Sequence, residues 1–460
     1  MSEATKSVFA RRALTANGWE NNVLIRVDAS GRIASVTPET IEESDAYTVD
    51  ALLPAQSNLH SHTFQRAMAG LSEARSPAGR DSFWTWREVM YRFLDILDPE
   101  DIEAIAAFAF VEMLESGYSS VAEFHYLHHQ PGGATYAKLG ELSERIAAAA
   151  SATGIGLTIL PVAYMQGGVD GRALAGGQLR FGNKLDRYVR LAEEAKKAAA
   201  SVSPDAGFGV APHSIRAVNE RDLKALEQHF PGVPFHIHIA EQIPELQEVE
   251  SAYGQRSMSW LLDHLPVAER WCLIHSTHMN EDETLRVAAS GAVVGLCPIT
   301  EANLGDGIFN GVQYLNAGGR FGTGSDSNIR IAPSEELRQL EYSQRLRDVS
   351  RVMLSRDGKS CGRTLFDAAL LGGAQALGRA SGSLEAGKWA DMIALDVDNT
   401  AVLGLAGDRL LDGWIFAGDR DAVSDVWSAG RHVVREGRHR DRASIFKSYK
   451  ARLASILERV

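Results

Sequence analysis

The spacing of apolar and polar residues changes twice along the chain. Up to about residue 53, short alternating runs are separated by turn residues. Val23-Leu24-Ile25-Arg26-Val27 leads through Asp28-Ala29-Ser30-Gly31-Arg32 into Ile33-Ala34-Ser35-Val36. This pattern predicts short strands in an antiparallel unit too small to stand alone. From 54 to about 379, compact apolar runs alternate with stretches of helical period. After about 380 the strand pattern returns at 390–395, 423–427 and 432–434, and residues 443–459 predict a closing helix.

The middle section yields eight strands, at 53–59, 119–124, 155–162, 207–211, 235–240, 271–275, 292–296 and 321–324. Helical stretches between them are predicted at about 98–117, 140–152, 184–201, 219–229 and 255–264. Asp98-Pro99-Glu100-Asp101 is a strong helix start, with Asp98 as N-cap and Pro99 in the first turn. Asn280 with Glu283 makes a second start of the capping-box type. Eight β-then-α units predict an α/β fold, a (β/α)8 TIM-like barrel over 54–379, with its chemistry on the loops that follow the strands. An open doubly wound sheet is the alternative, but no GxGxxG follows the first strand. The strand-rich ends, 1–53 and 380–442, predict one small β-sandwich domain beside the barrel, and 443–460 a C-terminal helix.

Composition narrows the class. At 460 residues the chain exceeds the usual size of one hydrophobic core. Hydrophobic residues at 45% and charged residues at 23% are ordinary for a globular enzyme. Lys plus Arg number 47 against 59 Asp plus Glu, and the net charge of -12 argues against nucleic acid or an anionic membrane as partner. The first residues carry no apolar stretch followed by a small-residue cleavage site, so no secretory signal is expected. No apolar run reaches the roughly 18 residues a membrane span needs. Cys272, Cys297 and Cys361 never form a CxxC pair and read as reduced core thiols of a cytoplasmic protein.

The candidate chemistry collects at strand ends. His60-Ser61-His62 closes the first strand, and residues two apart on a strand face the same side. Alone, such a pair is equally a strand end with two partly exposed histidines. Strand five, however, carries His236, His238 and Glu241; strand six ends in His275 and strand eight leads to Asp326. Four strands of one barrel therefore end in metal-type ligands or acid/base groups. Spacing does not separate His236 from His238. His278 lies past its strand and reads as a loop residue, and His125, His128 and His129 read as a structural cluster rather than a second metal site.

HSH in strand one, HIAE after strand five, IHSTH after strand six and GSDS after strand eight resemble the amidohydrolase superfamily, as does the tail GSLEAGKWADMIALD from Gly382 to Asp396. The resemblance covers essentially the whole chain. The longer strings SNLHSHTFQRAMAGL, EFHYLHH, VAPHSIRAV and FGTGSDSNIR are similar to the branch of deiminases that act on N-formimino-L-glutamate in histidine degradation. This resemblance implies that His60, His62, His238 and Asp326 hold one Zn2+, with HxxE selecting His238. Fe2+ or Mn2+ would also accept nitrogen and oxygen donors. Binuclear relatives use a modified lysine after strand four, whereas here the strand ends Val210-Ala211-Pro212-His213, which implies a single metal.

Three imidazoles and a carboxylate leave room for a water. Glu241 is the candidate to take its proton and deliver it to the leaving nitrogen, and His275 to hydrogen-bond the water and steady a tetrahedral intermediate. Asp326 is both ligand and candidate proton acceptor. The implied substrate is a small dianion, and carboxylates in a closed pocket call for arginines. Arg216 follows strand four. The long connection from Thr63 to Asp98 holds Trp84-Thr85-Trp86-Arg87, suited to a lid that carries a cation on an aromatic base. Arg66, Arg75 and Arg80 compete on the same connection; the resemblance favours Arg87 and Arg216 and adds Gln65, Tyr126, His213 and Ser325 as substrate contacts. It also implies a homodimer. The alternatives are a deaminase of a ring substrate of guanine, cytosine or adenosine type, which should not need paired arginines, and a non-catalytic scaffold, which should have lost ligands.

Overall fold

Residues 7–73, 83–356 and 358–459 are described in a computed structural model of the chain. Eight parallel strands, one of them split in two, form its centre among the described residues. They are β1 (Gln56–Ser61), β2 (Tyr118–His125), β3 (Gly156–Ala163), and β4, split into Gly207–Phe208 and Ala211–Pro212. Then come β5 (Phe235–Ile239), β6 (Trp271–His275), β7 (Val293–Leu296) and β8 (Arg320–Thr323). β1 to β4 pair in chain order as one parallel sheet and β5 to β8 as another. One bridge, Val210 to Phe235, spans the seam between β4 and β5; another, Ser61 to Asp326, spans the seam between β8 and β1. This is the TIM-like α/β arrangement that the alternation predicts. β1, β2, β3, β5, β6 and β7 are buried along their whole length, as expected of strands covered by helices outside and side chains inside.

Local signals account for several of the helices. The helix Pro99–Ser116 starts on Asp98, whose side chain accepts the Asp101 N–H, and stops at Gly117 with φ 108°. Glu281–Ser290 starts on the reciprocal pair Asn280 and Glu283. Other helices have weaker signals. The connection between Thr63 and Asp98 contains a 3-10 turn, Thr63–Met68, and a helix, Phe83–Leu94. The helix Cys361–Leu377 carries the pair Gly372-Gly373 in its interior. In the fold the glycines permit contact: a Cβ at Gly372 would lie 1.9 Å from the Phe321 carbonyl oxygen, so the helix packs directly on β8.

The chain ends meet in one eight-stranded sheet. Tyr47–Pro54 pairs in parallel with Ser7–Thr15 and antiparallel with Met392–Leu395, which joins the N-terminal strands to the C-terminal ones. The two halves expected to form a sandwich therefore share a continuous ladder. One face has its own core, including Val8, Ile25, Met392 and Trp427. The other contributes Leu53, Ile393 and Val426 to the core shared with the central strands. Leu53 and Pro54, expected in the first central strand, belong to this sheet; the chain crosses at Ala55, whose N–H bonds the Asp391 carbonyl at 3.0 Å. Among the described residues no helix is long and apolar enough to cross a membrane.

Candidate functional site

β1 delivers His60 and His62 to one end of the central strands, both buried. The last residues of β1 are bonded to the segment after β8: His62 N–H donates to the Asp326 carbonyl and Asp326 N–H to the His60 carbonyl, each at 2.9 Å. A Cβ at Gly324 would stand 2.7 Å from the His60 nitrogen, so a glycine is required for this approach. Asp326 itself has φ 45°, in the left-handed region, as do Ala240 after β5 and His275 and Ser276 at the end of β6. Such non-glycine conformations cost about 1–3 kcal/mol each and cluster at functional sites.

The donors converge. His60 Nε2 lies 3.1 Å from His238 Nε2 and 3.5 Å from Asp326 Oδ1, and His62 Nε2 is 3.3 Å from the same oxygen. Ligands about 2.0–2.1 Å from a tetrahedral zinc ion would be spaced about 3.3 Å apart, so the set fits. Two of the rings are fixed from behind: His62 Nδ1 donates to the Phe124 carbonyl at 2.9 Å and His238 Nδ1 to the His213 carbonyl at 3.0 Å. A neutral ring bonded in this way presents the Nε2 lone pair to the centre. Burial, reinforced by the neighbouring imidazoles, pushes His60 and His238 well below the usual histidine range. Burial also lowers His62, against the pull of Asp326 and the Phe124 carbonyl. Neutral imidazoles beside a carboxylate are suitable donors for a divalent cation.

His236, on the same face of β5, bonds the Ala376 carbonyl at 2.8 Å and lies deeper. His275 Nε2 stands 3.8 Å from Glu241 Oε1 and 3.9 Å from Asp326 Oδ2. Burial opposes its protonation, but Glu241, Glu301 and Asp326 together raise it well above the ordinary histidine range. Burial pushes the Glu241 carboxyl up to about 7, with His275 opposing and Glu245 and Asp326 adding to the rise. A carboxyl titrating near neutrality beside a water site is suited to proton transfer in both directions.

One cavity is lined by His62, His238, Glu241, His275 and Asp326, and equally by Gln65, Arg87, Tyr126, His213 and Arg216. Gln65 Nε2 donates to the Tyr126 hydroxyl at 2.6 Å, while its carbonyl oxygen is buried with no hydrogen-bond partner among the described residues. Arg216 Nε is also buried, with no hydrogen-bond partner among the described residues and Glu245 Oε1 as a loose ion-pair neighbour at 4.0 Å. Arg87 rises from the helix Phe83–Leu94, its Nε donating to the Tyr91 hydroxyl at 2.6 Å and its guanidinium 5.0 Å from the Tyr91 ring centre. The cavity-side part of the predicted lid is thus helical, with Trp86 and Arg87 one turn from Met90 and Tyr91, all four on the cavity wall.

One expectation needs correction. Ser325 does not line the cavity. Its hydroxyl, fully buried, accepts from Asn58 and donates to Asn328, each at 2.6 Å, and Ser327 takes its place on the wall. Arg66 is not available to a ligand, since it grips Glu112 through two bonds of 2.6 and 3.0 Å. Arg75 and Arg80 lie outside the described residues, as do the side chains of Trp84 and Thr85. His128 and His129 bond backbone carbonyls, and no metal-type grouping forms around them or His125 among the described residues. His278 bonds the Asp306 carbonyl and is a loop residue, as expected. Sequence reasoning missed Tyr91, Tyr164 and Glu301. The first two lie on the cavity wall, and Glu301 accepts from His275 Nδ1 at 3.2 Å. Nothing in the spacing of these residues distinguishes them from core or surface side chains.

A family model described as "Amidohydrolase family" matches residues 51–433, and one described as "Formimidoylglutamate deiminase HutF, N-terminal domain" matches residues 5–45. A formimidoylglutamate deiminase of Pseudomonas aeruginosa is 46% identical over 455 residues, 98% of this chain and 100% of that protein. An 8-oxoguanine deaminase of the same organism is 26% identical, covering 88% of this chain and 87% of its own. The crystal structure of an amidohydrolase from Brucella melitensis superimposes with a TM-score of 0.94 at 47% identity, covering 98% of this chain and 99% of that one. An adenosine deaminase from Xanthomonas campestris with bound zinc shares the fold, with a TM-score of 0.82 at 22% identity over 98% of both chains.

Proposed function

The chain belongs to the amidohydrolase family and is a hydrolase of C–N bonds; from that premise we propose that it deiminates N-formimino-L-glutamate (formimidoylglutamate) with the help of zinc, as a step of histidine degradation. Water adds to the formimino carbon, the C–N bond to the terminal nitrogen breaks, and N-formyl-L-glutamate and ammonia leave. The observation that carries this reading is that two arginines, Arg87 and Arg216, line the same cavity as the histidine and carboxylate donors. A substrate with two carboxylates, one at each end of a short flexible chain, answers such a pair.

His60, His62, His238 and Asp326 are proposed to hold the metal. Zinc, when bound, supplies Lewis acidity that lowers the pKa of a water to about 7. Glu241 receives the water's proton and passes it to the departing nitrogen, for which a carboxyl titrating near 7 is suited. His275, from the opposite side, donates to the oxygen that becomes negative in the tetrahedral intermediate. Gln65 and Tyr126, bonded to each other, and His213 orient the substrate, and Arg87 and Arg216 bind its carboxylates. The net charge of -12 supports a small ligand rather than nucleic acid or an anionic membrane. A cytoplasmic location and a homodimer complete the proposal.

The decisive assay is ammonia release by the purified, zinc-loaded protein. N-formimino-L-glutamate is expected to turn over, with guanine, cytosine and adenosine inert. No ammonia from millimolar N-formimino-L-glutamate, or faster release from one of the rings, would overturn the substrate assignment.

A further inference from the structure

His275 depends on a contact outside the cavity. Its φ of 70° and that of Ser276, 53°, take the backbone out of strand geometry, so the β6 ladder alone does not aim the ring. Nε2 is 3.8 and 3.9 Å from its two carboxylate neighbours, beyond hydrogen-bonding distance. Among the described residues the ring makes one hydrogen bond, from Nδ1 to Glu301 Oε1 at 3.2 Å. Glu301 is 5% exposed and sits on the short helix Pro298–Leu304 that follows β7. The same oxygen accepts the Cys297 N–H at 2.8 Å, which ties the carboxylate to the start of its own helix.

That helix is a partition. Thr300 and Leu304 face the active-site cavity, whereas Glu301, Ala302 and Gly305 face a second crevice closed on its far side by Leu340 and Ser343. His275 lines the first cavity and Glu301 the second, so their bond crosses the wall between them.

We propose that Glu301 is the positioning residue of His275. Through Nδ1 it fixes the ring so that Nε2 points at the reacting centre, and it does so from a crevice that substrate does not enter. The inference rests on the role given above to His275. A carboxylate accepting from the far nitrogen of a histidine favours the doubly protonated ring, whose Nε2–H can then donate, and fixes the plane of that ring.

The test uses zinc-loaded enzyme. Glu301→Ala should retain its metal and a near-normal KM, while kcat falls by about 100-fold or more, the loss of an interaction made in the transition state. Glu301→Gln, which keeps an acceptor oxygen, should recover much of that loss. Formate is small enough for the crevice and should restore kcat to Glu301→Ala, whereas chloride at equal ionic strength should not. In a His275→Ala background, Glu301→Ala should cost nothing further. Additive losses in the double variant, loss of metal from Glu301→Ala, or no rescue by formate would each overturn the proposal. A readout independent of substrate separates it from the deiminase reading: the His275 Nδ1–H proton resonance, assigned by its absence in His275→Ala, should vanish in Glu301→Ala and persist in Glu301→Gln. Its persistence in Glu301→Ala would refute the contact even if ammonia is released, and its loss would support the contact even if no substrate is found.

Discussion

At the N-terminal end of the central strands, Arg379 is buried between Asp391, through bonds of 2.7 and 3.0 Å, and Asp205, through 2.8 and 2.9 Å. Arg431 closes the group from the chain-end sheet with 2.7 and 2.9 Å bonds to the same Asp205. At the C-terminal end, Arg216 is nearly as buried, with 13% of its side chain exposed, yet among the described residues its Nε has no hydrogen-bond partner and only a loose ion pair to Glu245 at 4.0 Å. The first cluster joins two sheets and leaves nothing for a ligand to bind. The second keeps donor and acceptor capacity unspent inside a cavity. Buried polar groups without partners are costly, and inside a cavity a ligand or a water can supply the missing bond.

The comparison breaks most readily at Arg379. Arg379→Met leaves Asp205 and Asp391 buried with fewer counter-ions, and removal of one member of such a group costs about 3–5 kcal/mol. Thermal unfolding should fall accordingly, while the folded fraction keeps its KM. Arg216→Met should invert the result. kcat/KM for the dianion should drop by about 100- to 1,000-fold, equivalent to about 3–4 kcal/mol, with the melting temperature unchanged or higher. Loss of stability without loss of kcat/KM at Arg216 would show that it is structural after all.

The two ends should also differ in sign with pH. Asp205 is buried, which raises its pKa, but Arg431 and Arg379 outweigh burial and hold it well below the usual carboxylate range. Its contribution is present above the unfolded pKa of about 3.9 and is lost as pH falls through the folded value. Glu241 behaves oppositely: raised from 4.5 to about 7 mainly by burial, it is fully stabilising below 4.5 and loses that contribution as pH rises through 7. In metal-free protein, Glu241→Gln should therefore add up to about 3 kcal/mol at pH 8 and almost nothing at pH 4.5. Denaturant titrations at the two pH values decide it; equal gains at both would remove Glu241 from the account.

Much of the architecture was legible because it is local. Alternation of strand and helix patterns, the N-cap at Asp98 and the pair Asn280 and Glu283 each act within a few residues, and each appears where its chemistry predicts. Strand period likewise put His60 and His62 on one face and His238, His275 and Asp326 at neighbouring strand ends. Misreadings came where local signals conflict with packing. Leu53 reads as the start of one sheet but is the end of another.

The choice of His238 over His236 came from the family resemblance; by themselves, period and spacing determined the order of elements and the end of the strands at which the candidate donors collect. Only the tertiary structure decided which polar groups are already spoken for. Arg66 is consumed by Glu112 across 46 residues, Ser325 by Asn58 across 267, and His275 is held by Glu301 across 26. Arg87, from the helix Phe83–Leu94, and Arg216, from the loop after β4, reach one cavity. A side chain's partner is set by packing between elements distant in sequence, and no periodicity along the chain encodes that.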